Sequence, residues 1–478
     1  VLEYAQATVL FLRARAASDL PPASVARLRR HAFEGFNRAL ALCPHDAATL
    51  CNLAFAHEAL DRNRTLSQQL YREALKYNGS HVRSLYYFAN SFAHPAARLA
   101  QGALRRRQPS PDPELEATAR EAEQLFEQAL THSGRRHANS FRDYAGFCVK
   151  MGRYCHRLRS EPGYSSRSSE YRRRAGELMW EGLHACPRHA KLLLDYARAL
   201  AKREVSPPAG VHPQALARSL VVSALATHSE RDPASLDSFV RAAEVLEMLK
   251  QPRLSEAATI RGVQALQFVR DPDEDLIVPY SVGHLRTLTQ TLAKKVEGML
   301  ASAISGLPRS PTAQEQDAVR TLLDLLLYVR ALSPKDAVLA LWTFCEQCQR
   351  TRHATEMAKA LLFGGQESFA RPWTPPPTLA PLMGPQSILM CALRGVLLCA
   401  HADEEGHDHG IRWLARVWES RSRLCLSDTS DPDSKASLEL AMVLRAGKAL
   451  VRALQMNHQS KEADEVRLGI QELENPVK

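Results

Sequence analysis

The stretch AGELMWEGLHACPRHAKLLLDYARAL, residues 175–200, contains small, large apolar and proline residues at regular intervals. Its first half places Ala175, Met179 and Gly182 on one face of a helix, and Pro187 follows where that helix must stop. The second half places a similar set of residues on one face of the next helix: Leu193, Tyr196, Ala197 and Leu200. The stretch therefore predicts two consecutive helices joined by a short turn.

The same spacing occurs four more times in the first half of the chain. The markers of the other first segments are Ala32, Phe36 and Ala39; Ser67, Tyr71 and Ala74; Ala122, Phe126 and Ala129; and Ala217, Val221 and Ala224. In all five copies a small residue of the next helix follows the third marker after 15 or 16 residues. These residues are Ala54, Ala89, Ala145, Ala197 and Val240. Such constancy indicates a repeat of helical hairpins.

These repeats resemble the tetratricopeptide repeat (TPR), in a divergent form similar to that of protist proteins. The resemblance rests on the small–aromatic–small spacing, the helix-ending proline, and Tyr-Ala pairs at Tyr4, Tyr144 and Tyr196. It covers roughly residues 1–245 and implies an α-solenoid, in which hairpins stack because one hairpin cannot bury its own apolar faces. We expect residues 1–17 to be the second half of an incomplete hairpin.

The remainder of the chain keeps helical periodicity without strand-like alternation, so we predict an all-α protein. The predicted domains are a TPR-like α-solenoid at 1–245 and a helical region at 250–365. A proline-rich connector at 366–386 leads to a helical region at 387–478 that ends in a TPR-like hairpin. The apolar segment 387–400 carries Arg394 and is too short for a membrane span.

Three insertions interrupt the repeats at 94–114, 155–171 and 205–213. Each is rich in proline, serine or arginine, and we expect exposed loops that separate the two helices of a hairpin. Six arginines lie in or beside the insertions and form the predicted basic loops. They are Arg105, Arg106, Arg107, Arg172, Arg173 and Arg174.

The net charge of +10 is concentrated in the first half of the chain. Residues 1–250 carry 36 Lys and Arg against 25 Asp and Glu, and 31 of those basic residues are arginine. A bias toward arginine codons is one explanation. An electrostatic footprint for an anionic partner is the other, and the position of the arginines must decide between them.

The TPR resemblance implies that the first helix of each hairpin lines a concave groove. Its inward positions lie two before, one after and five after the first apolar marker. The predicted groove residues are Arg83, Tyr86, Asn90, Asn139, Arg142, Lys191 and Arg198 at these positions, with Lys150 and Lys202 one turn further along their helices. The groove should change from apolar to basic along its length, and we expect it to bind a protein partner through an acidic segment. RNA is the alternative partner. The Lys/Asn clamp by which some TPR proteins hold a peptide carboxylate is not matched.

Catalytic motifs are missing from the sequence. It contains no phosphate-binding glycine loop, nucleophile elbow, HExxH or dinucleotide fingerprint, so we expect a scaffold, without enzymatic activity, cofactor or small-molecule substrate. Cys345 and Cys348, with His353 nearby, are better explained as a buried thiol pair than as half of a zinc site. Cys399, His401, His407 and His409 form a second set of metal candidates that is more suggestive in composition, although acidic, histidine-containing turns between helices are common.

The ten cysteines are scattered through apolar helical segments, which is typical of reduced, packed thiols. We expect an intracellular, reducing compartment, the cytoplasm before an organelle. An organelle stays open because the chain begins at Val1 without a methionine, so a preceding targeting segment cannot be read.

Overall fold

The computed structural model is all-α. It describes residues 2–16, 22–105, 111–229, 232, 235–270, 282–330, 334–363, 387–400, 404–420 and 435–474. These residues form twenty α-helices and no strand, which confirms the predicted fold class. They divide into two compact units, Val1–Leu288 and Thr289–Lys478.

The first unit is built from helical hairpins. Its helices are α1 (Leu2–Ala16), α2 (Pro22–Leu42), α3 (Ala47–Ala56), α4 (Arg64–Tyr77), α5 (Val82–Leu104), α6 (Pro113–His132), α7 (Ala138–Arg157), α8 (Tyr164–Ala185), α9 (Ala190–Ala201), α10 (Pro213–Ala226), α11 (Leu236–Met248) and α12 (Pro252–Arg270). Each odd-numbered helix packs on the next to make a hairpin, and successive odd-numbered helices also pack on one another. The hairpins are therefore stacked, with their first helices in one row.

The residues that defined the repeat lie in the core of this stack. The small residues Ala54, Ala89, Ala145 and Ala197 are all 0% exposed. Phe36, Tyr71 and Phe126, the aromatic markers of the second helices, are also fully buried. Small side chains allow close approach between helices and the aromatic rings fill the space between layers, so burial of both classes explains why the spacing is constant.

The first hairpin is complete, so the prediction that residues 1–17 form a second half was wrong. Helix α1 is the first helix of a hairpin with α2. A Cβ at Gly35 of α2 would lie 2.9 Å from the Cβ of Ala7, so the two helices are in close contact. Phe11 of α1 and Phe36 of α2 share one core, and this apolar face of α1 is covered by α2 and α3.

Two of the predicted loops are largely helical, which corrects the loop assignment. Helix α5 continues past Pro95 to Leu104, and the buried Ala96 and Ala100 extend its apolar face along α6. Helix α8 begins directly after Gly163, which is its N-cap residue and adopts a left-handed φ of +80°. The insertion 205–213 is the connection between α9 and α10.

Several predicted features fall outside the described residues. Arg106 and Arg107 belong to a gap between α5 and α6. The proline-rich connector 366–386 lies in a second gap, between residues 363 and 387. His401 lies in a third.

The second unit continues the helical pattern. Its helices are α13 (Val282–Ser305), which begins in the first unit, α14 (Ala313–Arg330), α15 (Pro334–Cys348), α16 (Arg352–Phe363), α17 (Ile388–Leu398), α18 (Glu404–Glu419), α19 (Lys435–Met456) and α20 (Ser460–Glu474). The indole ring of Trp418 on α18 packs against Gly447 of α19 and Gly469 of α20. A Cβ atom would lie 2.7 Å from the ring at Gly447 and 2.9 Å from it at Gly469. Glycine thus lets α19 and α20 close on this indole ring. None of the described helices is long and apolar enough to cross a membrane.

Candidate functional site

A groove of about 490 Å³ lies along the first helices of the first unit, and we call it the central groove. Its lining comes mainly from α5, α7 and α9, with Arg241 from α11. It brings together six of the nine predicted groove residues: Asn90, Arg142, Lys150, Lys191, Arg198 and Lys202. Arg83, Tyr86 and Asn139 do not line it.

Helix caps and helical spacing bring the basic residues to one surface. The His137 ring accepts a 3.3 Å hydrogen bond from the backbone N–H of Ser140 and begins α7. His189 caps α9 in the same way, accepting from Leu192 at 3.2 Å. Lys191 and Arg198 are then seven residues apart, two helical turns, so they share one face of α9.

Four cations of the central groove are exposed and unpaired. They are Lys150, Lys191, Arg198 and Lys202. Within the part of the chain that the structure describes, none of the four forms an ion pair. The whole lining contains seven Lys and Arg against three Asp and Glu, so its formal charge is +4. An anionic segment could neutralise these cations without first breaking a bond.

A chain of polar contacts, which we call the charge ladder, links neighbouring first helices. It consists of Tyr86, Asp143, Arg142, Asp195, Arg241 and Asp237. The Tyr86 hydroxyl donates to Asp143 at 2.5 Å, which connects α5 with α7. Arg241 donates to Asp195 at 3.3 Å, which connects α11 with α9.

The charge ladder changes the role expected of Arg142. Its guanidinium lies 2.7 Å from a carboxylate oxygen of Asp143 and 3.9 Å from one of Asp195. Burial raises the pKa of Asp195, while Arg241 and Arg142 oppose that rise. Arg142 is therefore held by the protein itself, unlike Lys191 and Arg198.

Sequence reasoning missed the acidic residues of this surface. Asp143 and Asp195 each precede a buried tyrosine and alanine in the tripeptide Asp-Tyr-Ala, at equivalent positions of two repeats. The repetition of an aspartate at one repeat position was the available signal. It places a carboxylate directly after an inward position on both helices, Arg142 on α7 and Leu194 on α9.

The arginines predicted as a basic loop at 172–174 lie within α8, so that assignment was wrong. Helical spacing puts them beside carboxylates: Arg174 pairs with Glu127 of α6, and Arg173 pairs with Glu177 one turn along. Arg172 donates to the backbone carbonyl of Arg203. Arg105 is exposed at the end of α5.

The metal candidates are not gathered into a site among the described residues. No group of three or more potential ligand side chains is present there. Cys399 packs against α18, where a Cβ at Gly410 would lie 2.6 Å from its Sγ, and burial raises the pKa of this thiol to about 12. His407 and His409 lie on α18, which begins at Glu404. Cys345 and Cys348 are both 0% exposed.

Comparisons with known proteins return helical-repeat structures. No protein-family model and no curated protein matches the chain. Among solved structures, YrrB, a TPR protein with an unusual peptide-binding site, has 14% identity and a TM-score of 0.26, covering 50% of this chain and 99% of its own. The TPR domain of P58(IPK) has 13% identity and a TM-score of 0.22, with 94% and 99% covered.

A monomeric mutant of IFIT1 with m7Gppp-AAAA has 12% identity and a TM-score of 0.27, with 90% of this chain and 91% of that chain covered. The fold assignment rests on the stacked hairpins of this chain and the buried residues that define their spacing. On those grounds the first unit is a stack of TPR-like helical hairpins with a basic groove along its first helices.

Proposed function

We propose that this chain is a non-catalytic scaffold of an intracellular assembly, and that its central groove binds an acidic segment of a protein partner. The observation that carries the proposal is the set of four exposed cations without an ion pair among the described residues. Lys150 lies on α7, Lys191 and Arg198 lie on α9, and Lys202 follows the last residue of α9. They project from adjacent first helices into one groove, which suits an extended chain of negative charges.

The charge ladder supports the proposal by fixing the frame behind these cations. Tyr86, Asp143 and Asp195 tie successive first helices to each other. A surface held in this way loses little conformational entropy when a ligand binds, so more of the electrostatic attraction is retained as affinity.

A protein segment fits this groove better than RNA. Proteins that bind single-stranded RNA usually offer exposed aromatic rings on which bases stack. The only Phe, Tyr or Trp in the lining is Phe147, which is 3% exposed. Phe55 and Tyr87, nearer the start of the chain, already stack on each other at 4.5 Å.

Fluorescence anisotropy tests the proposal directly. A labelled peptide of alternating Glu and Gly should bind, and the same peptide with Gln in place of Glu should not. Lys191→Glu with Arg198→Glu should weaken binding at least about tenfold, because two attractions become repulsions. Arg120→Glu with Arg218→Glu, on the second helices α6 and α10, alters the net charge equally and serves as the control.

The same assay distinguishes the RNA alternative. A labelled oligo(U) should bind more weakly than the Glu peptide at physiological salt. Tight oligo(U) binding that falls steeply with the logarithm of salt concentration, with no binding of the Glu peptide, would overturn the proposal in favour of RNA.

A further inference from the structure

A second pocket of about 810 Å³ adjoins the central groove, and we call it the arginine pocket. Its charged lining residues are Arg62, Arg64, Arg98, Lys150, Arg153 and Glu58. They come from the connection between α3 and α4, from the first residue of α4, from the second half of α5, and from α7. Lys150 and Arg153 also line the central groove, so the two cavities are adjacent.

The charge of the arginine pocket is strongly unbalanced. Five Lys and Arg side chains and a single carboxylate, that of Glu58, line it. One of the five, Arg153, already pairs with Glu204 of the central groove, which leaves four cations around Glu58. Burial raises the pKa of Glu58, although Arg64 and Arg98 lie close enough to oppose the rise. The pocket also contains His94, whose pKa is lowered by burial and by Lys150. A ligand with more than one negative charge matches this excess better than a single carboxylate does.

One donor in the pocket lacks a partner. The Nε–H of Arg64 is buried and donates no hydrogen bond within the described residues. A buried N–H without an acceptor is unfavourable, and a turn of the guanidinium toward a ligand oxygen in the pocket would relieve it. Guanidinium groups present several N–H donors in a plane, a geometry that matches the oxygens of a phosphate.

The backbone beside the pocket is unusual. Residues His57–Asp61 form a π-helical turn, and Arg62 follows with a φ of 54°, in the left-handed region that favours glycine. The Asn63 side chain accepts from Leu66 at 3.2 Å and begins α4 immediately afterwards. π-Turns are frequent at functional sites. The left-handed residue is shared with other first helices, since Arg203 and Lys250 follow the ends of α9 and α11 in the same conformation. This turn carries both Glu58 and Arg62 to the pocket.

We propose that the arginine pocket binds the phosphate of a phosphorylated serine or threonine, carried on the segment that occupies the central groove. The inference rests on the proposed function of that groove. A phosphorylated side chain brings nearly two negative charges and three acceptor oxygens at neutral pH. The pocket lining contains no Phe, Tyr or Trp, so it favours a phosphorylated side chain over a nucleotide that must stack.

The test compares two labelled acidic peptides that differ only in phosphorylation of one central serine. Binding is measured by anisotropy for the wild-type chain, for Arg64→Gln with Arg98→Gln in the pocket, and for Lys191→Gln with Arg198→Gln in the groove. Phosphorylation should improve wild-type binding by about tenfold or more, because charge-assisted hydrogen bonds to phosphate are strong. The pocket variant should lose this gain, while the groove variant should bind both peptides more weakly and keep the gain.

Each outcome separates the two proposals. Equal wild-type affinity for the two peptides, or a phosphorylation gain that survives in the pocket variant, overturns the phosphate site and leaves the groove standing. Affinities unchanged in the groove variant, or no binding of either peptide, overturn the groove and the phosphate site with it. Displacement of the phosphopeptide by oligo(U), with the oligo(U) affinity reduced in the pocket variant, would assign the pocket to RNA instead.

A single-residue variant guards against loss of structure. Arg62→Gln alters an exposed side chain, and circular dichroism should match the wild-type chain. The Arg62→Gln substitution should reduce the increase in affinity that phosphorylation of the peptide produces. The phosphate site would be contradicted if phosphorylation of the peptide raised the affinity of the folded Arg62→Gln protein, and of the Arg64→Gln with Arg98→Gln protein, as much as that of the wild type.

Discussion

The Oη atom of Tyr86 on α5 lies 2.5 Å from Oδ2 of Asp143 on α7, so a hydrogen bond joins the first helices of two neighbouring hairpins. The same aspartate accepts from Arg142, which in turn lies beside Asp195 of α9. A hydroxyl and a guanidinium therefore share one partly buried carboxylate. With Arg241 of α11, which pairs with Asp195, the charge ladder links four first helices and fixes the position of the exposed cations on α7 and α9.

Tyr86→Phe should destabilise the first unit by about 1 kcal/mol, because it removes one acceptor–donor pair from a partly buried carboxylate. Chemical denaturation followed by circular dichroism measures the change in unfolding free energy. Tyr77→Phe is the matched control, since Tyr77 is 39% exposed and contacts the His45 ring without a hydrogen bond from its hydroxyl in the described structure. Equal stability of the two variants would show that the Tyr86–Asp143 bond contributes nothing.

Arg142→Glu should be far more damaging to the fold than Lys191→Glu. The first change places a third carboxylate beside Asp143 and Asp195, and should destabilise the protein by about 1–3 kcal/mol. The second alters an exposed, unpaired side chain and should stay within about 0.5 kcal/mol of the wild type. Thermal or urea unfolding compares them, and a reversed order would contradict the division between ladder and groove residues.

Gly182→Ala should reduce stability although alanine favours helices. The new Cβ on α8 would lie 2.9 Å from both the Cβ of Phe141 on α7 and the Cδ2 of Leu192 on α9, so α8 would have to move away from these two helices. We expect a loss of about 1–3 kcal/mol from overpacking. Gly146→Ala is the control, because nothing lies within 4 Å of its Cβ, and it should gain up to about 1 kcal/mol from helix propensity. An unfolding free energy of Gly182→Ala equal to that of the wild type would contradict the close contact of α8 with α7 and α9 at this residue.

Asp46 should stabilise the start of α3 in a pH-dependent way. Burial raises the pKa of this carboxyl, but hydrogen bonds from Thr49 and Ala48 outweigh burial and hold the pKa below its ordinary value of 3.8. Its contribution is therefore complete above that pH and is lost as the pH falls through the lowered pKa. Asp46→Ala should cost about 1 kcal/mol at neutral pH and much less at about pH 2. A pH-independent difference in unfolding free energy would contradict the cap.

The repeat was predictable because burial constrains it so strongly. Ala145 and Ala197 must be small for helices to approach, and Phe126 must be large to fill the layer between them. Such requirements recur in every copy and leave a fixed spacing in the sequence. The inward positions of the first helices followed from the same register, which is why Lys150, Lys191 and Arg198 meet in one groove.

The partners of individual charges were not predictable from one-dimensional spacing. Arg174 meets Glu127 forty-seven residues away, and Arg241 meets Asp195 forty-six residues away, so only the stacked hairpins bring them together. The arginine pocket was missed for a related reason. The extension of α5 past Pro95 carries Arg98 beyond the regular repeat positions, to a place opposite Arg64.

Photo-cross-linking of an acidic peptide, followed by mass spectrometry, tests the central claim most directly. A benzophenone-labelled Glu/Gly peptide should attach to α5, α7 and α9 around Lys150, Lys191 and Arg198, and an excess of unlabelled peptide should remove the cross-links. Cross-links confined to the second helices α6, α8 and α10, or spread evenly over exposed arginines, would contradict the groove as the binding site.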